Sequence, residues 1–242
     1  MILQVFFIFF ICYIIYLKYF RTRQNYKLNK IKYDRDKSIN YINHEIKNSA
    51  KCCILLTMYI KDDRKDLYTD ITNKWLNNTN LDIYIVNSSG LTLDINHPRL
   101  KQFSFLQNSN FMNKDPSVVE RDSILKAFEY FKDDFNDYDI IIKVTGKYFI
   151  PELENIIKYI PNDTDIILQN QDITHGQNCE LIGIAKHKIR DILSNIESHQ
   201  PTEHILCMIR KYKSNIYKIL KLPPLKIKNN VKRGDGLILK FL

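Results

Sequence analysis

Three runs of nearly continuous apolar residues constrain this chain more than anything else in it: CCILLTMYI (52–60), DIYIVNSSG (82–90) and DIIIKVTGKYF (139–149). A strand that is half solvated alternates polar and apolar residues, whereas a strand covered on both faces reads as an unbroken apolar run. Between these runs lie longer amphipathic stretches. In 64–78, Leu67, Ile71 and Trp75 recur at four-residue steps; in 117–132, Val118, Ile124, Leu125, Phe128 and Phe131 share one side. Strands alternating with helices predict an α/β fold with a mainly parallel sheet flanked by helices. Shorter strands are expected at 98–105, 165–170 and 179–186. Further helices are expected at 151–160, with Pro151 in the first turn, and at 187–197 and 202–221. From Pro223 the chain reads as an irregular basic tail.

The N-terminus is of another kind. Residues 2–17, ILQVFFIFFICYIIYL, contain no charge, and Gln4 is their one strongly polar side chain. With Tyr19 and Phe20 the run approaches the roughly 20 residues that span a bilayer. A cleaved signal peptide needs a basic stretch before the run and a small-residue site after it, and neither is present. One N-terminal transmembrane helix over 1–20 is therefore expected, with a polar juxtamembrane stalk over 21–50, an α/β domain over 51–222 and the tail over 223–242. Lys18, Arg21, Arg23, Lys27, Lys30 and Lys32 all follow the run and no Lys or Arg precedes it. By the positive-inside rule the single-pass chain then keeps its C-terminal part in the cytosol. Glycosylation sequons at Asn77, Asn87 and Asn162 point to the lumen instead, but chance matches are common in an Asn-rich chain, so the charges weigh more.

A net charge of +9 invites a nucleic-acid reading, and its distribution argues against one. Residues 18–51 carry ten Lys/Arg and three acids; residues 205–242 carry ten Lys/Arg and one acid. What remains is an acidic body of −7 between two basic ends. No nucleic-acid partner is expected. The five cysteines show no C-x-x-C and no zinc spacing, and read as buried free thiols.

In open parallel sheets, binding sites lie beyond the carboxyl ends of the strands. Here those ends carry Thr57-Met58-Tyr59, Asn87-Ser88-Ser89-Gly90, Lys143 to Tyr148 and Gln169-Asn170. Lys143 stands out, because a lysine directly after Ile-Ile-Ile is nearly buried and requires an anionic partner. Thr145-Gly146-Lys147 is not a phosphate-binding P-loop, since Ile141 and Tyr148 occupy positions where that motif needs Gly and Ser/Thr.

Taken in order, ILLTMYI, a helix with Trp75, IYIVNSSG, Glu120 near a helix start, IIIKVTGKY, DIILQN and QNCELIGI resemble a group of glycosyltransferases of microbial and viral polysaccharide genes. That group is similar to GT-A nucleotide-sugar transferases. The string Lys143 to Tyr148 is the most specific mark, and the resemblance covers about residues 52–190. It implies a GT-A-like domain that moves a sugar from a nucleotide-sugar donor to a hydroxyl of a glycan or other acceptor. It implies that Lys143 and Lys147 neutralise phosphate, with the Gly146 backbone close by, and that Thr145 and Tyr148 bond donor or acceptor. Asn87, Ser88 and Ser89 would then face the nucleotide. Gln169 and Asn170 would bind substrate, and Glu120 and Glu180 would be the carboxylates for the acceptor. GT-A enzymes commonly hold Mn²⁺ or Mg²⁺ on an Asp-x-Asp after a central strand. None follows IIIK; Asp62-Asp63 and Asp137-Tyr138-Asp139 lie elsewhere. The lysines in place of a metal are the favoured expectation, over a metal on scattered ligands. That departure keeps a second reading open, a membrane-anchored binding or scaffold protein with a transferase-like fold.

Overall fold

A computed structural model describes residues 49–108, 115–170, 177–194 and 200–228. The apolar run at 2–20 and the end of the basic tail lie outside the described residues, and no helix among the described residues is long and apolar enough to cross a membrane.

Seven strands form one sheet: β1 (Cys52–Met58), β2 (Ile83–Asn87), β3 (Leu100–Ser104), β4 (Ile140–Thr145), β5 (Ile166–Gln169), β6 (Leu181–Ala185) and β7 (Ile219–Leu222). Their order is β3-β2-β1-β4-β6-β5-β7. The pairs β1–β2, β1–β4, β2–β3 and β5–β7 are parallel, and β6 runs antiparallel to both β4 and β5. The helices are α1 (Lys65–Asn78), α2 (Pro116–Tyr130), α3 (Leu153–Ile157), α4 (Ile189–Ser194) and α5 (Thr202–Tyr212).

Every residue of β1, β2, β5 and β6 is buried, as the unbroken apolar runs require of strands covered on both faces. Successive side chains feed two cores. Ile54 and Leu56 of β1 join Trp75 of α1, Tyr148 and Phe149 on one face. Cys53 and Leu55 join Tyr84, Ile124, Phe131 and Phe135 on the other. Trp75 is wholly enclosed. Its indole Nε1 donates to the Tyr148 carbonyl at 3.0 Å, and its ring meets Phe149 edge-on at 5.0 Å. This bond fixes α1 to the turn after β4 and meets the one polar demand of a buried indole. Helix α2 starts where Asp115 accepts from Ser117 N at 2.8 Å, with Pro116 pre-set for the first turn.

Two expectations change at the C-terminal end. The helix expected over 202–221 ends at Tyr212, and Ile219–Leu222 is instead a strand on β5. The tail expected from Pro223 begins inside the fold: Leu225 and Ile227 are buried in the Trp75 core, and Lys228 N donates to the Phe149 carbonyl at 3.2 Å. At the other boundary Ala50 is buried and its amide donates to Ile160 O at 2.8 Å, so the packed part includes at least residue 50.

Candidate functional site

The parallel register aligns the carboxyl ends of β1 and β4 so that Thr57 sits directly beside Thr145. Both side chains leave the sheet on the side of α2, as does Lys143 two residues earlier on β4. Helix α2 delivers Glu120 to this point from its first turns. The result is a closed polar cluster at the end of an apolar sheet. Thr57 Oγ1 donates to Glu120 Oε1 at 2.6 Å, and Thr145 Oγ1 donates to the same oxygen at 3.3 Å. Lys143 Nζ meets Glu120 Oε2 at 2.7 Å. Lys143 Nζ also donates to Thr145 Oγ1 at 3.0 Å and to the Cys179 carbonyl at 2.6 Å. Its three N–H groups are thus all used, which is how an ammonium only 3% exposed is tolerated.

The anionic partner that the sequence demands for Lys143 is therefore Glu120. This places Lys143 differently from the expected phosphate contact, since the ammonium is enclosed and its donors are committed to protein. Lys147 is the more open of the two lysines. Its Nζ stands 3.9 Å from Glu180 Oε1, with the two side chains 22% and 17% exposed. Glu180 reaches this edge because β6 is antiparallel, so the residues preceding it meet the end of β4; the Glu180 carbonyl accepts from Thr145 N at 2.9 Å.

The other expected site residues fall into two groups. Gly146 packs inward: a Cβ there would stand 2.5 Å from Met58 Cγ and 3.0 Å from the Thr57 carbonyl, so its missing side chain serves the contact with β1. Tyr148 lies wholly in the core. Asn87 is buried, and its Oδ1 accepts from the amides of Ile60 and Ser89, both at 3.2 Å, so its polar atoms tie the end of β2 to the end of β1. Ser88 is buried and its amide donates to Met58 O at 3.2 Å; Ser89 is half-buried and receives a bond from Asn87 Nδ2 at 2.9 Å.

Gln169 is buried at the end of β5, while Asn170 is exposed. Arg210 of α5 joins them. It donates to Gln177 Oε1 at 2.8 Å, to Asn170 Oδ1 at 3.2 Å and to Gln169 O at 3.4 Å. Thr57 stands among the strand-end residues of the sequence but carries no assigned role there, and Gln177 and Arg210 are not marked at all. For Thr57 a signal existed, a hydroxyl closing an apolar strand as Thr145 does. For Arg210 none did, because its partners are 33 or more residues away. Cys179 lies next to the cluster, but burial holds its thiol in the neutral form by pushing its pKa well up, with Glu203 adding to the effect. It is no nucleophile there.

The sequence matches no protein-family model, and comparison with curated proteins gives no match. The fold does match solved structures. A mannosyltransferase from Pyrobaculum calidifontis, solved with GDP-Man and Mn²⁺, superposes with a TM-score of 0.50 at 9% identity, over 78% of this chain and 59% of that one. The chain thus spans about three fifths of that enzyme. A glycosyltransferase involved in glycosylation of the major capsid of PBCV-1 gives 0.44 at 10% identity, covering 71% and 81%. A cytidylyltransferase from Leptospira borgpetersenii gives 0.41 at 12%, covering 72% and 76%. At such identities the likeness is one of fold, and the fold is the GT-A-like α/β architecture that the sequence suggests.

Proposed function

We propose that the chain is a glycosyltransferase that moves a sugar from a nucleotide-sugar donor to an acceptor hydroxyl, with the chemistry at the carboxyl ends of β1 and β4. The observation that carries this reading is the pair Lys147–Glu180 beside the clamped Glu120 cluster, on the edge of a GT-A-like sheet where ligands bind.

The residues divide the work. Transfer breaks the bond between the sugar and the diphosphate, and charge builds on the leaving oxygen. Lys147 is the more exposed of the two lysines at this edge and stabilises that charge. The acceptor hydroxyl must lose a proton to a carboxylate. Glu120 has little capacity left for it, since two hydroxyls and an ammonium already engage its oxygens. Glu180 has one long ion-pair contact at 3.9 Å, which leaves acceptor capacity for an incoming hydroxyl. Glu180 is therefore the base, and Glu120 holds Lys143 and the ends of β1 and β4 in place. GT-A folds often employ Mn²⁺ or Mg²⁺. Among the described residues no three His, Cys, Asp or Glu side chains cluster closely enough to hold such an ion. The hexosyl type of the transfer and attachment to a membrane through residues 2–20 belong to the same proposal. So does a cytosolic placement of the domain, supported by the basic residues that follow that run.

The test is nucleotide release from UDP-, GDP- and CMP-sugars by the full chain. A Glu180→Gln variant is expected to lose on the order of a hundredfold or more in turnover with unchanged thermal stability. Lys147→Met is expected to slow release in the same assay. No turnover and no thermal shift with any such donor overturns the enzyme. The non-catalytic scaffold then stands, a reading favoured by the internal commitment of Lys143.

A further inference from the structure

The fold leaves one helix face unexplained. Among the described residues, large apolar side chains stand exposed at eight positions. Five are scattered: Tyr59, Leu91, Leu106, Tyr130 and Tyr159. The other three, Met208, Tyr212 and Ile216, recur at four-residue steps along α5 and the turn after it, and are 43%, 69% and 64% exposed. Single exposed apolar residues are ordinary on a protein surface; three at a regular step within one short segment are less so. The opposite side of α5 is core, with Leu206 and Ile209 packed beneath. The row is held in shape, because Ile216 N donates to Lys213 O at 3.0 Å and Lys213 N to Ile209 O at 2.9 Å.

Within the segment that carries this row the charge has one sign, although Asp163, Asp165 and Asp191 of neighbouring elements contact Tyr217 and Lys218. From His204 to Lys221 there is no acidic residue, while Arg210, Lys211, Lys213, Lys218 and Lys221 are basic. Lys211, Lys213, Lys218 and Lys221 are exposed. Lys218 is paired with Asp163 at 2.5 Å, and Arg210 faces inward to Gln177 and Asn170. That leaves Lys211 and Lys213, exposed and adjacent in sequence to Tyr212, beside the apolar row. An amphipathic helix with an aromatic and aliphatic stripe bordered by lysines is what an anionic lipid surface accepts, with the stripe entering the headgroup boundary and the lysines meeting lipid phosphates.

We propose that α5 and its following turn form an interfacial docking surface for an anionic lipid bilayer. The inserted residues are Met208, Tyr212 and Ile216, and Lys211 and Lys213 are the electrostatic contacts. This surface is independent of the catalytic assignment. It also gives the excess of basic residues near the C-terminal end a use within the folded domain.

The apolar run at 2–20 can by itself hold the chain on any vesicle, so the test reads α5 locally. Trp75 is enclosed, which makes a second tryptophan a usable probe. In the full chain, Tyr212→Trp is compared with Tyr130→Trp, an exposed tyrosine away from α5. Both are added to vesicles of phosphatidylcholine alone, or with phosphatidylserine, carrying brominated acyl chains. Docking predicts quenching of Tyr212→Trp, little quenching of Tyr130→Trp, and dependence on phosphatidylserine. Adding Lys211→Gln and Lys213→Gln should lower the docking equilibrium roughly thirtyfold, about fivefold per charge. Equal quenching of both probes, or quenching indifferent to phosphatidylserine, overturns the proposal. So does concentration-dependent dimerisation in sedimentation that Tyr212→Glu abolishes, which would assign the stripe to a second copy of the chain.

Discussion

The pair Lys143–Glu120 concentrates what single residues do in this molecule. Lys143 is enclosed at the end of β4, and its charge is tolerated only because Glu120, Thr145 and the Cys179 carbonyl all accept from it. Removing one member of such a pair leaves an uncompensated charge, which costs more than the pair contributes. Lys143→Met is therefore expected to lower stability in chemical denaturation by about 3 kcal/mol. The double variant with Glu120→Gln should recover a substantial part of that loss, and additive losses would show that the two residues act separately. Any activity lost in Lys143→Met thus reports folding rather than phosphate binding, and Glu180→Gln is the cleaner probe of chemistry. The sequence announces this residue plainly, since a lysine after three isoleucines needs a partner. The partner itself is visible only as a glutamate near a helix start, because the register that brings α2 to β4 is a tertiary fact.

At the scale of elements, legibility follows burial. Strands β1, β2 and β4 stand out because both faces are covered and their apolar runs are unbroken. Strand β7 does not. Ile219–Leu222 is a sheet edge, half-buried in part, and its alternation continues the amphipathic texture of α5 closely enough to read as one helix. The antiparallel direction of β6 is equally silent, because LIGIA reads the same whichever way it pairs. The buried end of the tail is hidden by its lysines: Leu225 and Ile227 are core residues set in a basic stretch. Leu225→Ala in the full chain is expected to cost about 2–4 kcal/mol in denaturation, as for other enclosed leucines. A Lys226→Ala variant, whose side chain is exposed, should change stability by no more than about 0.5 kcal/mol. Equal effects of the two would place Leu225 outside the core.

At the scale of the whole molecule, the buried thiols of the described residues set an alkaline limit. Burial raises the Cys52 pKa to about 12 from 9.0, and Asp139 adds to the effect. Cys53 and Cys179 are pushed well up by the same cause, and Tyr84 rises to about 12. These groups ionise more readily in the unfolded chain. Their contribution to stability is thus intact below pH 9 and is lost as pH rises from 9 toward 12. The urea midpoint should fall between about pH 8 and pH 10.5, and Cys53→Ala should flatten that fall. In the native protein at neutral pH, Cys52, Cys53, Cys179 and Cys207 should resist a thiol reagent that reacts with all of them after denaturation, since all are buried.

The cluster around Glu120 also has a history within each chain's own synthesis. Its members arrive from β1, α2, β4 and the residue pair before β6, and the Lys143 contact to Cys179 spans 36 positions while Thr57 to Glu120 spans 63. A nascent chain that has emerged only through β4 holds an ammonium with nothing from β6 to receive it. The centre therefore closes only after the antiparallel strand docks, and such long-range closures belong to the slow part of folding. A finished Glu120 cluster therefore requires β1, α2, β4 and the residues before β6 to be in place together.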